Sequence, residues 1–361
     1  MSAAMPPLEN APPLSRFEFW SPSLFYLPVW VWIAWLSLRH WGVRLPLVAN
    51  PALPASGLVG ESKAQVLDSF GAAGRRWIAP YVTLERRSGA AGPLATDALA
   101  ALEHAGLALP IVAKPDIGCR GAGVRPIRSE AELIAYLQAF PVGQRIVLQQ
   151  LVDVEGEAGV FYIRQPGTAR GEIFSLTLKY FPHVVGNGRS TLRQLIASDP
   201  RAGKLQHLYL QRHVELLDAV LPVGDRVRLA FAGSHSRGAI FRNGAPFVTE
   251  AMRARFDVIA DSIPGFSFGR FDVRFGDFEA FRRGCGFRIV ECNGAGAEAT
   301  HIWDSRTRLR DAYATLFRQF AHLWRIGAAN RRLGHRPEPW SDFIDRWRAE
   351  RRLVQAYPPT A

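Results

Sequence analysis

Four short segments carry side chains suited to phosphate and divalent-metal chemistry. The first runs Lys114-Pro-Asp-Ile-Gly118-Cys-Arg-Gly121-Ala-Gly123. A loop with three glycines can bring backbone N–H groups close to phosphate oxygens, and a lysine on the preceding apolar run adds a cation. It lacks the Gly-Lys-Ser/Thr of a P-loop, and no dinucleotide-type helix follows it directly. The second is Lys179, at the end of Ile173-Phe-Ser-Leu-Thr-Leu-Lys. The third is Arg270-Phe-Asp272-Val-Arg274, where the period of an extended strand puts Arg270, Asp272 and Arg274 on one face. In the fourth, Phe287-Arg-Ile-Val-Glu291-Cys-Asn293, the carboxylate of Glu291 and the carboxamide of Asn293 share a face. Singly these are ordinary features: a glycine turn, a surface lysine, a salt-bridged strand. Together, Asp272, Glu291 and Asn293 form an oxygen-ligand set of the kind that suits Mg²⁺, which takes one or two carboxylates plus phosphates and waters.

These residues need strands to aim them. Residues 110–114 form a short strand, and 116–124 are the glycine loop. Ser129 with Glu132 makes a capping box that opens a helix through Phe140. Residues 145–151 are a strand, and 158–164 with 172–179 an antiparallel pair joined by a Pro-Gly turn. Ser190 caps a helix through Ile196, and another helix follows over 212–221. Strands recur at 226–232, 239–242, 269–275 and 287–291. A helix over 307–326 carries a stripe from Leu309 to Trp324 that is core packing. Mixed strands and helices with local hairpins make the class α+β.

Composition narrows the alternatives. At 48% hydrophobic and 21% charged, the 361-residue chain is globular rather than disordered. Its net charge of +12 is spread out and accompanies no nucleic-acid module, so no nucleic-acid partner is expected. Cys119, Cys285 and Cys292 are scattered and odd in number, which argues for a reducing compartment without a disulfide framework. Lysine is the informative count: Lys63, Lys114, Lys179 and Lys204 are the only four, against 40 arginines. Two of the four sit at strand ends.

In order and spacing, strand-lysine, glycine loop, second strand-lysine, Arg-x-Asp and Glu-x-Asn resemble the ATP-grasp superfamily of carboxylate–amine ligases. Residues 184–196 resemble the segment after the second lysine in cyanophycin synthetases, and the Arg-x-Asp and Glu-x-Asn pieces resemble D-alanine–D-alanine ligases. The resemblance implies an ATP-grasp fold, two α+β subdomains sandwiching ATP, over 109–305. A disordered N-terminus (1–16), a helical, apolar N-terminal domain (17–108, with a Gly/Ala-rich loop at 85–98) and a C-terminal helical extension (306–361) would flank it. It implies that Lys114 and Lys179 bind the nucleotide phosphates under a mobile flap holding Gly118, Gly121 and Gly123. Gln149, Gln150, Leu151 and Val152 would contact adenine, and Glu157 the ribose. Asp272, Glu291 and Asn293 would hold one or two Mg²⁺, with Mn²⁺ able to substitute. Arg270 would stabilise the transferring phosphoryl group. Arg274 and the loop 300–304 are candidates for the acyl-acceptor side, His235 and Arg237 for substrate contacts. The activity implied is ATP-dependent amide or peptide bond formation through an acyl phosphate, from a small carboxylate and an amine. A phosphotransferase, or a membrane-associated nucleotide-binding regulatory module, is the alternative. Cys119, without a nearby histidine in sequence, is a loop spacer rather than a nucleophile.

The N-terminal region has one further feature. From Phe19 to Leu38 there is no charge, and Trp20, Trp30, Trp32, Trp35 and Trp41 give the stretch an interfacial character. Pro22 and Pro28 predict a helix starting near Pro28. By length alone the stretch could span a bilayer, and the prolines and indoles count against that; the expected readings are a buried helix or a peripheral membrane contact, on a cytoplasmic protein or one held at the cytoplasmic membrane face. The run Gly60-Glu61-Ser62-Lys63 has no assigned role in this scheme.

Overall fold

The computed structural model describes residues 4–8, 14–231, 233 and 238–360. Its strands are β1 (Tyr81–Glu85), β2 (Ile111–Pro115), β3 (Arg125–Ile127), β4 (Arg145–Gln150), β5 (Gly156–Ile163), β6 (Glu172–Tyr180), β7 (His183–Val185), β8 (Arg226–Arg228), β9 (Ile240–Asn243), β10 (Phe268–Phe275) and β11 (Phe287–Asn293). They form a four-stranded sheet in the order β1-β4-β2-β3, a five-stranded sheet in the order β11-β10-β5-β6-β9, and the pair β7-β8. Every pairing among these strands is antiparallel. The class is α+β, as expected.

Each large sheet buries one face and turns the other to a shared cleft. In the four-stranded sheet Ile111, Ala113, Ile146 and Leu148 pack under the helices Ala91–His104 and Glu130–Ala139. The period of two therefore points Lys114 and Gln149 the other way. In the five-stranded sheet Val160, Leu176, Leu178, Phe271, Val273 and Phe287 pack against Met252, Phe256 and Ile259 of the helix Glu250–Asp261. Glu157, Lys179, Arg270, Asp272 and Arg274 occupy the opposite face.

Residues 53–85 join both layers. Leu53, Val66, Leu67, Phe70 and Ile78 complete the core of the five-stranded sheet, while β1 pairs with β4. A strand thus lies inside the stretch expected to be helical, and pairing crosses the boundary expected at 108/109. The Gly/Ala-rich stretch expected to be a loop forms most of the helix Ala91–His104, because Ala91, Leu94, Ala95, Ala98 and Leu102 give it a buried stripe. Tertiary burial overrides glycine's weak helix propensity here.

Other departures are local. The first helix spans Pro22–Arg39, with Pro22 in its first turn and Pro28 inside. Pro28 removes one hydrogen bond, but Phe25, Val29 and Leu36 hold both halves against the core. Thr191, not Ser190, caps the helix Leu192–Ser198, forming a capping box with Gln194. The helix expected at 212–221 lies earlier, at Gln206–Arg212. The long C-terminal helix runs Leu309–Arg332, and a further helix follows at Trp340–Ala356. Part of the N-terminus expected to be disordered lies against the core: Met5 packs there and the Pro6 carbonyl accepts from the Tyr180 hydroxyl at 3.0 Å.

Candidate functional site

Lys114 stands where the two sheets meet. Its ammonium donates to Gln149 Oε1 and to the Val290 carbonyl of β11, both at 2.8 Å. Gln149 in turn donates to the Ala79 carbonyl at 2.9 Å, so both ends of its side-chain amide are tied, one of them to the lysine. Burial pushes the Lys114 ammonium down to about 8, with Glu291 pulling it up and Lys63 pushing it further down.

The cleft face of the five-stranded sheet carries a linked charge network. Lys179 donates to Glu157 at 3.1 Å and lies 3.0 Å from Asp272. Arg270 grips both oxygens of Asp272, at 2.9 and 3.1 Å, and its third nitrogen donates to the Glu298 carbonyl at 3.1 Å. Arg274 reaches the other oxygen of Glu157 at 3.1 Å and also donates to the Val154 carbonyl. Burial opposes the charge on Asp272, but Arg270 and Lys179 outweigh it and hold the carboxyl down at about 2. Burial likewise disfavours the Lys179 ammonium, and Asp272 with Glu157 reverses that, leaving its affinity for the proton raised. Gly159 lies beside this network on β5. A Cβ there would come within 3.0 Å of Arg270 Cδ and 3.2 Å of Asp272 Oδ1, so a bare backbone makes the room.

The register places the expected metal ligands together. Asp272 pairs with Glu291 and Arg270 with Asn293 across β10 and β11. A bulge opposite Asp272 and Val273 makes this possible. Phe287 and Ile289 point into the core, yet Glu291 and Asn293, of the same parity, face the cleft, because the extra residue Val290 shifts the alternation. The donors suit a hard cation: two carboxylates and a carboxamide on neighbouring strands. The Asn293 side-chain nitrogen is buried and without a partner, and turning the carboxamide over would present its oxygen there instead. Among the described residues no cluster of three or more His, Cys, Asp or Glu forms a self-sufficient metal cage. An ion here would need further oxygens from a ligand.

The unassigned Gly60–Lys63 run belongs to this site. The Lys63 ammonium donates to the Gly118 carbonyl at 2.6 Å and lies 3.8 Å from Glu291. Ser62 caps its helix and also donates to Asp116, which accepts from the Ala64 N–H at 2.8 Å. Burial raises the Glu61 carboxyl to about 8, Lys63 acting against it and Glu291 with it. Beneath, the turn at Ala55 and Ser56 has left-handed backbone (φ 47° and 56°). The Ser56 and Gly57 carbonyls accept from the N–H groups of Ala295 and Gly296, each at 2.9 Å. Gly57 and Gly294 meet back to back: a Cβ on Gly294 would lie 2.3 Å from the Ser56 carbonyl oxygen. Sequence reasoning missed this cluster; the rarity of lysine was the signal that could have found it.

The glycine loop has left-handed backbone at Arg120, Gly121 and Gly123. It is tied down from outside the sheets. Tyr357 donates to the Ile117 carbonyl at 2.7 Å and Thr360 to that of Gly121 at 2.8 Å. The stretch from Gln150 through Leu151 and Val152 leads out of β4 into the connection between the two sheets.

The expected acceptor-side grouping separates. Arg274 lies at the β4–β5 connection, bonded to Glu157 and Val154, and its guanidinium is 5.1 Å from the Phe181 ring centre. The loop 300–304 lies elsewhere on the sheet, where Thr300 bonds Thr177 at 3.1 Å and His301 bonds Ser175 at 2.6 Å. Strand direction is the reason: β10 is a rod, and its two arginines on one face lie four residues apart. Burial lowers His301 to about 4, so it is neutral at physiological pH. Tyr26 of the first helix reaches the same region, donating to Glu298 at 2.6 Å. His235 and Arg237 lie outside the described residues.

Two antiparallel sheets meet here, one offering a lysine beside a glycine loop and the other a lysine with Arg-x-Asp and Glu-x-Asn, which is the arrangement that the resemblance to ATP-grasp proteins predicts. Among solved structures the chain is similar to a bifunctional glutathione synthetase from Pasteurella multocida, at 15% identity and TM-score 0.36 over 71% of this chain and 36% of that one. It is also similar to D-cycloserine synthetase DcsG, at 15% identity and TM-score 0.37 over 83% of this chain and 82% of that one. The chain thus spans about a third of the bifunctional enzyme's length. No protein-family model and no curated protein matches the sequence.

Proposed function

We propose that this chain is an ATP-dependent carboxylate–amine ligase that forms an amide or peptide bond through an acyl phosphate. The observation that carries it is the meeting, on one cleft, of Lys63 and Lys114 from one side with Lys179, Arg270, Asp272, Glu291 and Asn293 from the other. The nucleotide would lie between the sheets with its phosphates toward the lysines and the Gly118–Gly123 backbone. Mg²⁺ held by Asp272, Glu291 and Asn293 would offset phosphate charge. A substrate carboxylate oxygen attacks the γ-phosphorus in line as the bond to the ADP oxygen breaks. Lys114, Lys179 and Arg270 neutralise the equatorial oxygens. An amine then attacks the acyl carbon, the bond to phosphate breaks, and the amine loses its proton as inorganic phosphate leaves. No side chain need act as nucleophile, so catalysis rests on positioning and charge. The end of the cleft bounded by Arg270, Glu298, Tyr26 and Thr300 is where the carboxylate would sit, and Arg274 belongs to the nucleotide end.

Hydroxylamine trapping separates this from a kinase on the same fold. Acids that stimulate ADP release should yield hydroxamates. ADP release with no hydroxamate for every such acid would leave the phosphotransferase reading in its place.

A further inference from the structure

The first helix has two apolar sides and only one is used. Phe25, Val29 and Leu36 are buried against the helix Leu309–Arg332. Tyr313 donates to the Phe25 carbonyl at 3.0 Å and Trp32 to that of Phe317 at 2.9 Å, which fixes the rotation of the helix. The other side is open. Leu24, Leu27, Trp30, Val31, Trp35 and Leu38 are 60, 54, 52, 66, 45 and 76% exposed. At 3.6 residues per turn these six fall within an arc of about 140°, opposite the buried residues. Single exposed apolar residues are normal; a rigid contiguous stripe of six is not.

The stripe ends in a cation cluster. Arg39, Arg325, Arg331 and Arg332 crowd His40 at the helix C-terminus, lowering its affinity for a proton, after burial. Arg331 donates to the carbonyls of Trp41 and His40 at 2.7 and 2.9 Å, so the turn beyond the helix is held in place. Trp41 on that turn is 87% exposed, and Trp20 before the helix is 42% exposed. Leucines and valine in the middle, indoles along and at both ends, and arginines at one rim match a bilayer surface: acyl chains, boundary, anionic headgroups. A second copy would bring the same arginines and no acidic residue from the stripe to meet them. No helix of the described residues is long and apolar enough to cross a membrane.

We propose that the exposed face of the Pro22–Arg39 helix docks this protein in the plane of an anionic lipid bilayer, with Arg39, Arg325 and Arg332 against the headgroups. The helix lies on the surface and keeps its contacts with the Leu309–Arg332 helix. This does not depend on the ligase reading.

The full chain is sedimented with vesicles of phosphatidylcholine alone and with vesicles containing about a third phosphatidylglycerol. Binding to the anionic vesicles, several-fold weaker on the neutral ones, with a blue shift of tryptophan emission, is expected. The triple substitution Leu27→Ser, Val31→Ser, Leu38→Ser should lower partitioning at least tenfold with the thermal midpoint unchanged, since all three side chains are exposed. Arg39→Gln with Arg332→Gln should lower it about tenfold on anionic vesicles only. Absence of binding to either vesicle overturns the proposal. So does a dimer in light scattering that the triple substitution converts to monomer while vesicle binding stays as it was.

Discussion

Lys114 and Glu61 are both held near 8 in this site, and Lys114 is the one whose charge the nucleotide phosphates would need. Its ammonium sits near 8, against 10.5 for a free lysine, because burial outweighs the pull of Glu291. Between those values the unfolded chain holds more protons than the folded one. The unliganded protein therefore gains stability from this group as pH rises from 8 to 10.5. Nucleotide binding has the opposite sign, since phosphates need the charged form. The KM for ATP should rise above pH 8, and Lys114→Arg, if it folds, should lack that limb. Two further substitutions test the metal assignment. Asp272→Asn and Glu291→Gln should each cut Mg-ATP turnover by at least a hundredfold while circular dichroism stays native. Near-normal turnover in either rules that assignment out. These residues were legible in the sequence because their chemistry is unusual for strands: charges alternating with phenylalanines need a reason. Lys63 was legible only as one of four lysines, since nothing local says that a helix start at residue 63 will face a strand end at 291.

At the scale of elements, the turn 54–57 is what aligns the backbone after Asn293, and Asn50 holds that turn. The Asn50 side chain donates to the Ser56 and Phe268 carbonyls at 3.1 and 2.8 Å and accepts from Ser267 and Phe268 at 2.9 and 3.0 Å. It is fully buried. Asn50→Ala should cost about 2–4 kcal/mol in denaturant melts, because it strands several buried backbone groups at once. It should also lower turnover in whatever fraction folds. At the other end of the chain, Tyr357 and Thr360 tether the glycine loop. Removing residues 357–361 should increase amide exchange across 117–123 while leaving exchange in β2 and β4 unchanged. Equal protection of that loop in both proteins would show that the tail does not restrain it. The strands that carry the site came through from periodicity, whereas β1 and the short β3 and β7 did not. Helices that depend on packing, such as Ala91–His104, did not, because their local composition resembles a loop.

For the whole molecule, the two sheets approach along a narrow seam. Lys114 reaches Val290, the Ala79 N–H donates to the Ile289 carbonyl at 2.9 Å, and Ile78 bridges Ile289. A nucleotide between the sheets would add a second set of contacts across them. A non-hydrolysable ATP analogue with Mg²⁺ should therefore raise the thermal midpoint by several degrees at a hundredfold excess over Kd, equivalent to roughly 2.7 kcal/mol. Asp272→Asn should show a much smaller rise; an equal rise would separate nucleotide binding from that carboxylate.

The sequence by itself determined the α+β class, both strand lysines, the shared face of Arg270, Asp272 and Arg274, and the uncharged stretch before Arg39. All of these follow from local periodicity and residue type, which no distant contact can change. The tertiary structure alone decided the rest. It decided that the first helix buries one apolar side and exposes the other, that a bulge at Val290 turns Glu291 out of the core, and that Lys63 completes the cleft. It also sent Arg274 and the loop 300–304 to different parts of the sheet. Each depends on which surfaces meet across long stretches of chain, and spacing along the sequence carries no record of that.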